Sequence, residues 1–193
     1  VDKFGMINLS DLEDIISENT SLVSVMFGNN EVGTIQPIQK IAKICHENNI
    51  IFHTDAVQVV GKIPVDVKEL DVDLLSISSH KLHGPKGIGA LYIKDGIKIH
   101  PMILGGGQEF RLRSGTENVA NIVGFGQACE IAQNHLDENI SWIKKLQSQL
   151  VKKVLDEISQ VTFNGHIESR LDNNAHFTFL GINGEDLIIK LDE

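Results

Sequence analysis

The sequence predicts an α/β fold, a mostly parallel sheet with helices on both faces, followed by the start of a smaller α+β domain. Three observations carry that expectation. Apolar runs of strand length alternate with helix-period stripes over the first half of the chain, joined by short connections. Asn30, Asp55 and the group at residues 78–81 each stand directly after such a run, where ligands gather outside the carboxyl ends of parallel strands. From residue 117 onward helix formers dominate and two further short runs follow, which marks a change of unit. The expected division is 1–135 for a partial, ligand-binding larger domain and 136–193 for a connecting helix with the beginning of the smaller one.

Taken in order, Ser10, Asp11, Leu12 and Glu13 have the capping-box pattern, and Leu12, Ile15 and Ile16 form an apolar stripe behind it. A short helix is expected there, running to about Glu18. Residues 22–27 are an apolar run of strand length, closed by Gly28, Asn29, Asn30 and Glu31. Pro37 suits the first turn of a helix whose buried stripe is Ile38, Ile41, Ala42, Ile44 and Cys45, with Asn48 and Asn49 as its stop. Residues 50–54, 72–78 and 90–94 read as the next strands. Residues 117–158 carry apolar side chains three and four apart over a length too great for one ordinary helix without a bend. Residues 161–163 and 175–180 then read as strands, and 184–192 as the start of a helix.

Composition narrows the function classes. A chain of 193 residues with 41% apolar content is ordinary for a folded protein with a real core. No apolar run approaches the ~18 residues of a membrane span, and residues 1–20 lack the basic region and apolar block of a signal peptide. A cytoplasmic setting is the default expectation. A net charge of −9 without any block of like charge argues against nucleic acid or an anionic membrane as the main partner. Cys45 and Cys129 sit in helix-like segments on the side shared with Ile41, Ile44, Ile131 and Ala132, so both are expected to be small core residues rather than a disulfide framework. His46, His53, His80 and His83 lack the paired spacing of metal ligands, and no metal is expected.

The chemistry concentrates in Ser76, Ile77, Ser78, Ser79, His80 and Lys81, followed by the glycine-rich turn Gly84, Pro85, Lys86, Gly87, Ile88 and Gly89. An apolar run delivers hydroxyls, an imidazole and an amine to one point. That set suits a phosphate and an aldehyde bound side by side, as in pyridoxal phosphate. In an extended strand Ser78 and His80 point one way and Lys81 the other, so one face can hold a phosphate while the amine turns to a carbonyl carbon. A solvated strand end is the alternative for His80 and Lys81, and Lys62 and Lys86 are rival carriers. Asp55, at the mouth of a buried strand, needs a cation or several donors nearby. A pyridinium nitrogen would serve, holding the ring ready to accept electrons; a helix N-cap is the other reading. Gln58 could reach the same ligand from the side if a helix begins at Ala56, hydrogen-bonding a phenolic oxygen, or it could lie on the surface. Gly105, Gly106 and Gly107, with Arg111, Arg113, Ser114, Gly115 and Thr116 beyond them, allow close backbone approach to an anion or form a plain flexible loop. Neither glycine-rich stretch has a nucleotide-binding pattern.

In this order the residues resemble the cysteine desulfurases, pyridoxal phosphate enzymes of the class-V aminotransferase family. The likeness is plain over residues 22–132 and weaker to Glu193. Its most specific blocks are residues 25–38, the run His53, Thr54, Asp55, Ala56, Val57 and Gln58, the group Ser78, Ser79, His80 and Lys81 with Gly84 to Gly87, and Arg113, Ser114, Gly115 and Thr116. The turn at Gly84 and the loop at 105–116 resemble the nitrogenase and housekeeping group of that family. The resemblance implies that Lys81 carries the cofactor as a Schiff base and later shuttles protons. It implies that Asp55 pairs with the ring nitrogen, Gln58 with the phenolic oxygen, and Ser78 and His80 with the phosphate. Asn30 would lie near the ring oxygen and the substrate carboxylate, and Thr116 would reach the phosphate in the other subunit of a homodimer.

The same resemblance implies a reaction in which L-cysteine yields L-alanine and an enzyme persulfide, whose sulfur passes to an iron–sulfur scaffold or a thiolation acceptor. It also implies an internal fragment. A ring-stacking histidine and a phosphate-binding threonine are expected ahead of Val1, and the nucleophilic cysteine and a carboxylate-binding arginine beyond Glu193. Neither Cys45 nor Cys129 matches that nucleophile, so this stretch alone is expected to release no sulfide. The alternatives are a selenocysteine lyase, a cysteine sulfinate desulfinase or an aminotransferase of the same fold, and a noncatalytic cofactor-binding piece.

Overall fold

Five-residue strands β1 (Leu22–Met26), β2 (Ile51–Asp55), β3 (Leu74–Ser78) and β4 (Gly89–Ile93) form one sheet in the order β1-β2-β3-β4. The computed structural model describes residues 1–193. β1, β2 and β3 run parallel, and β4 turns back antiparallel to β3. The parallel order follows from helical or turn crossovers between the strands, whereas the short glycine-rich connection after β3 allows an antiparallel return. On β2, Phe52 and Thr54 are fully buried while Ile51, His53 and Asp55 are only half-buried. Alternate side chains of a strand point to opposite faces, so one face of the sheet is the core and the other carries the polar row.

Helix α2 (Ile38–Glu47) covers the core face. Its stripe of Ile38, Ile41, Ala42, Ile44 and Cys45 is buried against Phe52, Val59, Val72 and Leu75, as the helical spacing requires. Pro37 is the N-cap, and Asn48 ends the helix with its side chain donating to the carbonyl of Ile44 at 2.9 Å. The left-handed backbone of Asn49 (φ 57°) then turns the chain into β2.

Helix α1 (Leu9–Ile15) starts and stops earlier than its sequence pattern suggests. The cap is Asn8, not Ser10: Oδ1 of Asn8 accepts from the Ser10 N–H at 3.1 Å and from its hydroxyl at 2.8 Å. The helix ends before Glu18 because a turn at Ser17 takes over, in which the Ser17 N–H donates to Thr20 Oγ1 and the Thr20 N–H to the Ser17 carbonyl. The conditional helix at Ala56 is likewise a turn. Val59 and Val60 both donate to the Ala56 carbonyl, and Gly61 at φ 76° breaks away. A single helical turn, α3 (Val67–Leu70), follows under an N-cap at Asp66.

Residues 79–82 form a 3-10 turn closed by His83 in the left-handed conformation. The long helical stretch divides at His135 into α4 (Val119–Asn134) and α5 (Leu136–Glu157), which supplies the expected bend. α4 packs Phe125 and Ala128 on Leu82 of that turn. Cys45 is fully buried, but Cys129 is only half-buried beside Leu82, and Ile131 is exposed, so the shared buried side holds for α2 and not for α4. Strands β5 (Val161–Phe163) and β6 (Phe177–Phe179) pair antiparallel in a separate sheet, and α6 (Gly184–Asp192) ends the chain. Between β5 and β6, Leu171 enters the main core and its N–H donates to the Gly33 carbonyl at 2.8 Å.

Candidate active site

The parallel strands finish at one edge of the sheet, and their last residues and the turns just beyond carry the candidate site residues. Met26, Asp55 and Ser76 lie side by side in register, so the loop bearing Asn30, the Asp55 carboxylate and the turn at 79–82 leave from one level. Asp55 is half-buried. Its Oδ1 accepts from the Val57 N–H at 2.9 Å, an Asx turn that fixes the carboxylate, while Oδ2 takes no hydrogen bond from the chain. The side chain thus caps the turn and still offers one oxygen to a cation.

Ser78 Oγ and His80 Nδ1 are 2.8 Å apart. Strand alternation is not what joins them, because the strand stops at Ser78; the 3-10 turn folds His80 back over its neighbour instead. Lys81, next in that turn, is half-buried and lines a cavity of about 850 Å³ together with Lys62, Leu82, Gly84 and Ala128, a cavity that Asp55, Gln58, Ser78 and His80 do not line. Gly84 belongs there for a steric reason. A Cβ at this position would lie 2.3 Å from Ser79 Oγ and 3.0 Å from the Ala128 methyl group, so only glycine lets the turn close against α4.

Gln58 is half-buried, and its Oε1 accepts a long hydrogen bond of 3.4 Å from Lys62 Nζ. Burial, and after it the charge of Lys81, pull the Lys62 amine below the ordinary lysine range, which puts the two amines in each other's field. Asp55, Gln58, Ser78, His80 and Lys81 are therefore gathered at the strand ends. Asn30 is exposed in the loop after β1 at the same edge, and Thr116 is exposed before α4; neither side chain bonds another of these residues. In the loop before Thr116, Ser114 Oγ donates to the Gly106 carbonyl at 2.7 Å and the Gly115 N–H to Gln108 Oε1 at 3.1 Å. Arg113 donates to the Ser114 carbonyl at 2.5 Å.

Two features have no role assigned to them by the sequence. His53 lies across three strands, with Nδ1 2.7 Å from Ser24 Oγ and Nε2 2.9 Å from Ser76 Oγ, two residues before Asp55 on β2. Burial lowers its pKa, and Asp55 offsets part of that shift. The other is a clamp on the Asn30 loop. Asn174 Nδ2 donates to the Glu31 carbonyl at 2.7 Å, and Arg170 Nη1 donates to Asn174 Oδ1 at 2.8 Å. Gly33 held a local signal of this clamp, since its φ is 79° and a Cβ there would fall 2.6 Å from Asn174 Oδ1.

A free carboxylate oxygen at one side, and an amine beside a hydroxyl–imidazole pair at the other, ask for a ligand that joins a cationic ring to an aldehyde and a phosphate. Pyridoxal phosphate is such a ligand, and the donor set fits it. Fold and site define a pyridoxal phosphate protein of fold type I. The family model described as aminotransferase class-V matches residues 1–193, and the chain belongs to that family. It is 50% identical over 192 residues to the cysteine desulfurase IscS of Dictyoglomus turgidum, covering 100% of this chain and 49% of that protein. It is 48% identical over 194 residues to the IscS of Clostridium botulinum, and 46% identical over 191 residues to the mitochondrial cysteine desulfurase of Arabidopsis thaliana, with 49% and 42% of those proteins covered. Among solved structures, a NifS-like protein superposes with a TM-score of 0.94 at 44% identity over 100% of this chain and 53% of its own. The DndA of Streptomyces lividans superposes at 0.86 with 30% identity, over 98% of this chain and 54% of its own. The chain spans about half the length of the curated relatives it matches.

Proposed function

We propose that the whole protein is a pyridoxal phosphate-dependent cysteine desulfurase that removes sulfur from L-cysteine, leaving L-alanine and an enzyme persulfide. The observation that carries this reading is the gathering of Asp55, Gln58, Ser78, His80 and Lys81 at one sheet edge, in a chain 48–50% identical to proteins of that name. When bound, the cofactor supplies a ring that accepts electrons from the substrate's α-carbon. The free Oδ2 of Asp55 holds the proton on the ring nitrogen. Gln58 donates an amide N–H to the ring oxygen, and Ser78 and His80 hold the phosphate. Lys81 Nζ would anchor the aldehyde carbon and, once the substrate's amine has taken its place there, the freed Lys81 amine would take and return the substrate's α-proton.

Asn30 stands at the same edge and orients the substrate carboxylate. Thr116 and the exposed loop before it serve the phosphate site of a second copy, so the working form is a homodimer. This reading divides the chain into the cofactor-binding residues 1–135 and residues 136–193, which bear the connecting helix and the smaller unit. No helix is long and apolar enough to cross a membrane. The reading places the enzyme in the cytoplasm, with an iron–sulfur scaffold or another sulfur-acceptor protein as its partner.

The test is product analysis of the full-length protein with L-cysteine and dithiothreitol. Sulfide and alanine in equal amounts are expected. Turnover to a keto acid without alanine would show an aminotransferase instead.

A further inference from the structure

Lys62 lines the same cavity as Lys81, the proposed function has no use for its amine, and its surroundings are built rather than incidental. Gly61 brings it there. With φ at 76°, Gly61 lets the turn after Gln58 lie so close to Leu82 and Ala132 that a Cβ would stand 2.3 Å and 3.3 Å from them. Leu82 is the residue after Lys81, so the turn bearing Gln58 and Lys62 is packed directly on the turn bearing the anchoring amine. Lys62 is half-buried and has no carboxylate partner among the ion pairs of the chain. Its side-chain acceptor is Oε1 of Gln58, at 3.4 Å.

A carboxamide has an acceptor end and a donor end of nearly the same shape, and only its hydrogen-bond partners decide which way it faces. An amine can only donate to the oxygen. We propose that Lys62 is a positioning residue: by holding Oε1 of Gln58, it turns the amide so that its NH2 faces the ring oxygen of the cofactor. The inference rests on the pyridoxal phosphate reading above. Without Lys62 the amide is free to rotate and present its oxygen to another oxygen, which repels. A hydrogen bond to the ring oxygen draws off negative charge that otherwise holds the proton on the lysine–cofactor linkage. Its loss raises the pH at which the visible band of the bound cofactor titrates.

The experiment is a spectroscopic pH titration of the full-length, cofactor-loaded protein and its variants. Lys62→Met is expected to raise the midpoint by about 0.5–1 unit, and Lys62→Arg, which keeps a donor, to stay near the wild-type midpoint. Gln58→Ala is expected to raise it as well. The double variant Gln58→Ala/Lys62→Met should move no further than Gln58→Ala alone, because Lys62 acts through that amide. Additive shifts, or an unchanged midpoint in Lys62→Met beside a shifted one in Gln58→Ala, overturn the proposal. If Lys62→Met fails to load cofactor, the Lys62→Arg titration decides: a wild-type midpoint supports the role, and a Gln58→Ala-like midpoint rejects it. A wild-type protein with no visible band, and no lysine trapped by borohydride, would instead reject the cofactor reading itself.

Discussion

Replacing Gly61 by alanine should damage stability and cofactor binding together. The backbone at this residue has φ 76°, a conformation that costs a residue with a Cβ about 1 kcal/mol. The added methyl group would fall 2.3 Å from a Leu82 methyl, and Leu82 is buried at 8% exposure, so it cannot swing into solvent. Forcing one extra carbon into such packing costs about 1–3 kcal/mol. The sum is about 2–4 kcal/mol. Because Leu82 sits in the same 3-10 turn as His80 and Lys81, relief of the clash must shift the residues proposed to hold phosphate and aldehyde. Urea unfolding followed by circular dichroism should show a lower midpoint for Gly61→Ala. Equilibrium dialysis of pyridoxal phosphate should show weaker binding by roughly tenfold or more, as a shift of this kind removes about 1.4 kcal/mol of binding or greater. Wild-type midpoint and affinity in the variant would refute the claim that this close contact positions the site.

Two further outcomes follow from buried groups away from the cofactor edge. Asp73, 5% exposed, accepts from the Phe52 N–H at 2.8 Å and pairs with His46 Nε2 at 3.0 Å; Asp73→Ala strands both donors and should lower stability by about 2–4 kcal/mol in urea titration, with the folded spectrum intact. A loss under about 0.5 kcal/mol would show that this carboxylate is not a hub. The Cys45 thiol is pushed up to about 11 by burial and by the Asp73 charge, so it should resist iodoacetamide at pH 8 in the native protein and react at once in guanidinium, as read by peptide mass spectrometry. Rapid native labelling of Cys45 would contradict its place in the core.

What the sequence made legible is what local periodicity controls. The stripe of α2 and its stop at Asn48 could be read directly, because a helix buries every third and fourth residue whatever lies opposite. The placement of Asp55 and the residues at 78–81 at strand ends could be read because apolar runs of strand length stop there. Ser78 and His80 do meet, but the strand expected to align them ends at Ser78, two residues before His80, and a 3-10 turn takes its place. Turn geometry depends on the close fit at Gly84 and Ala128, which local spacing does not encode. The cap of α1 shows a finer limit: Asn8 and Ser10 are both good caps, and the choice rests on which backbone N–H groups the side chain reaches. Least legible was the clamp of Arg170 and Asn174 on the Asn30 loop, since its partners are more than a hundred residues apart and only Gly33 hinted that something must approach closely.

The most direct measurement is borohydride reduction of the full-length protein loaded with pyridoxal phosphate, followed by peptide mapping. The account predicts a stable pyridoxyl label on Lys81. A label on Lys62 or Lys86, or no labelled lysine at all, would contradict it.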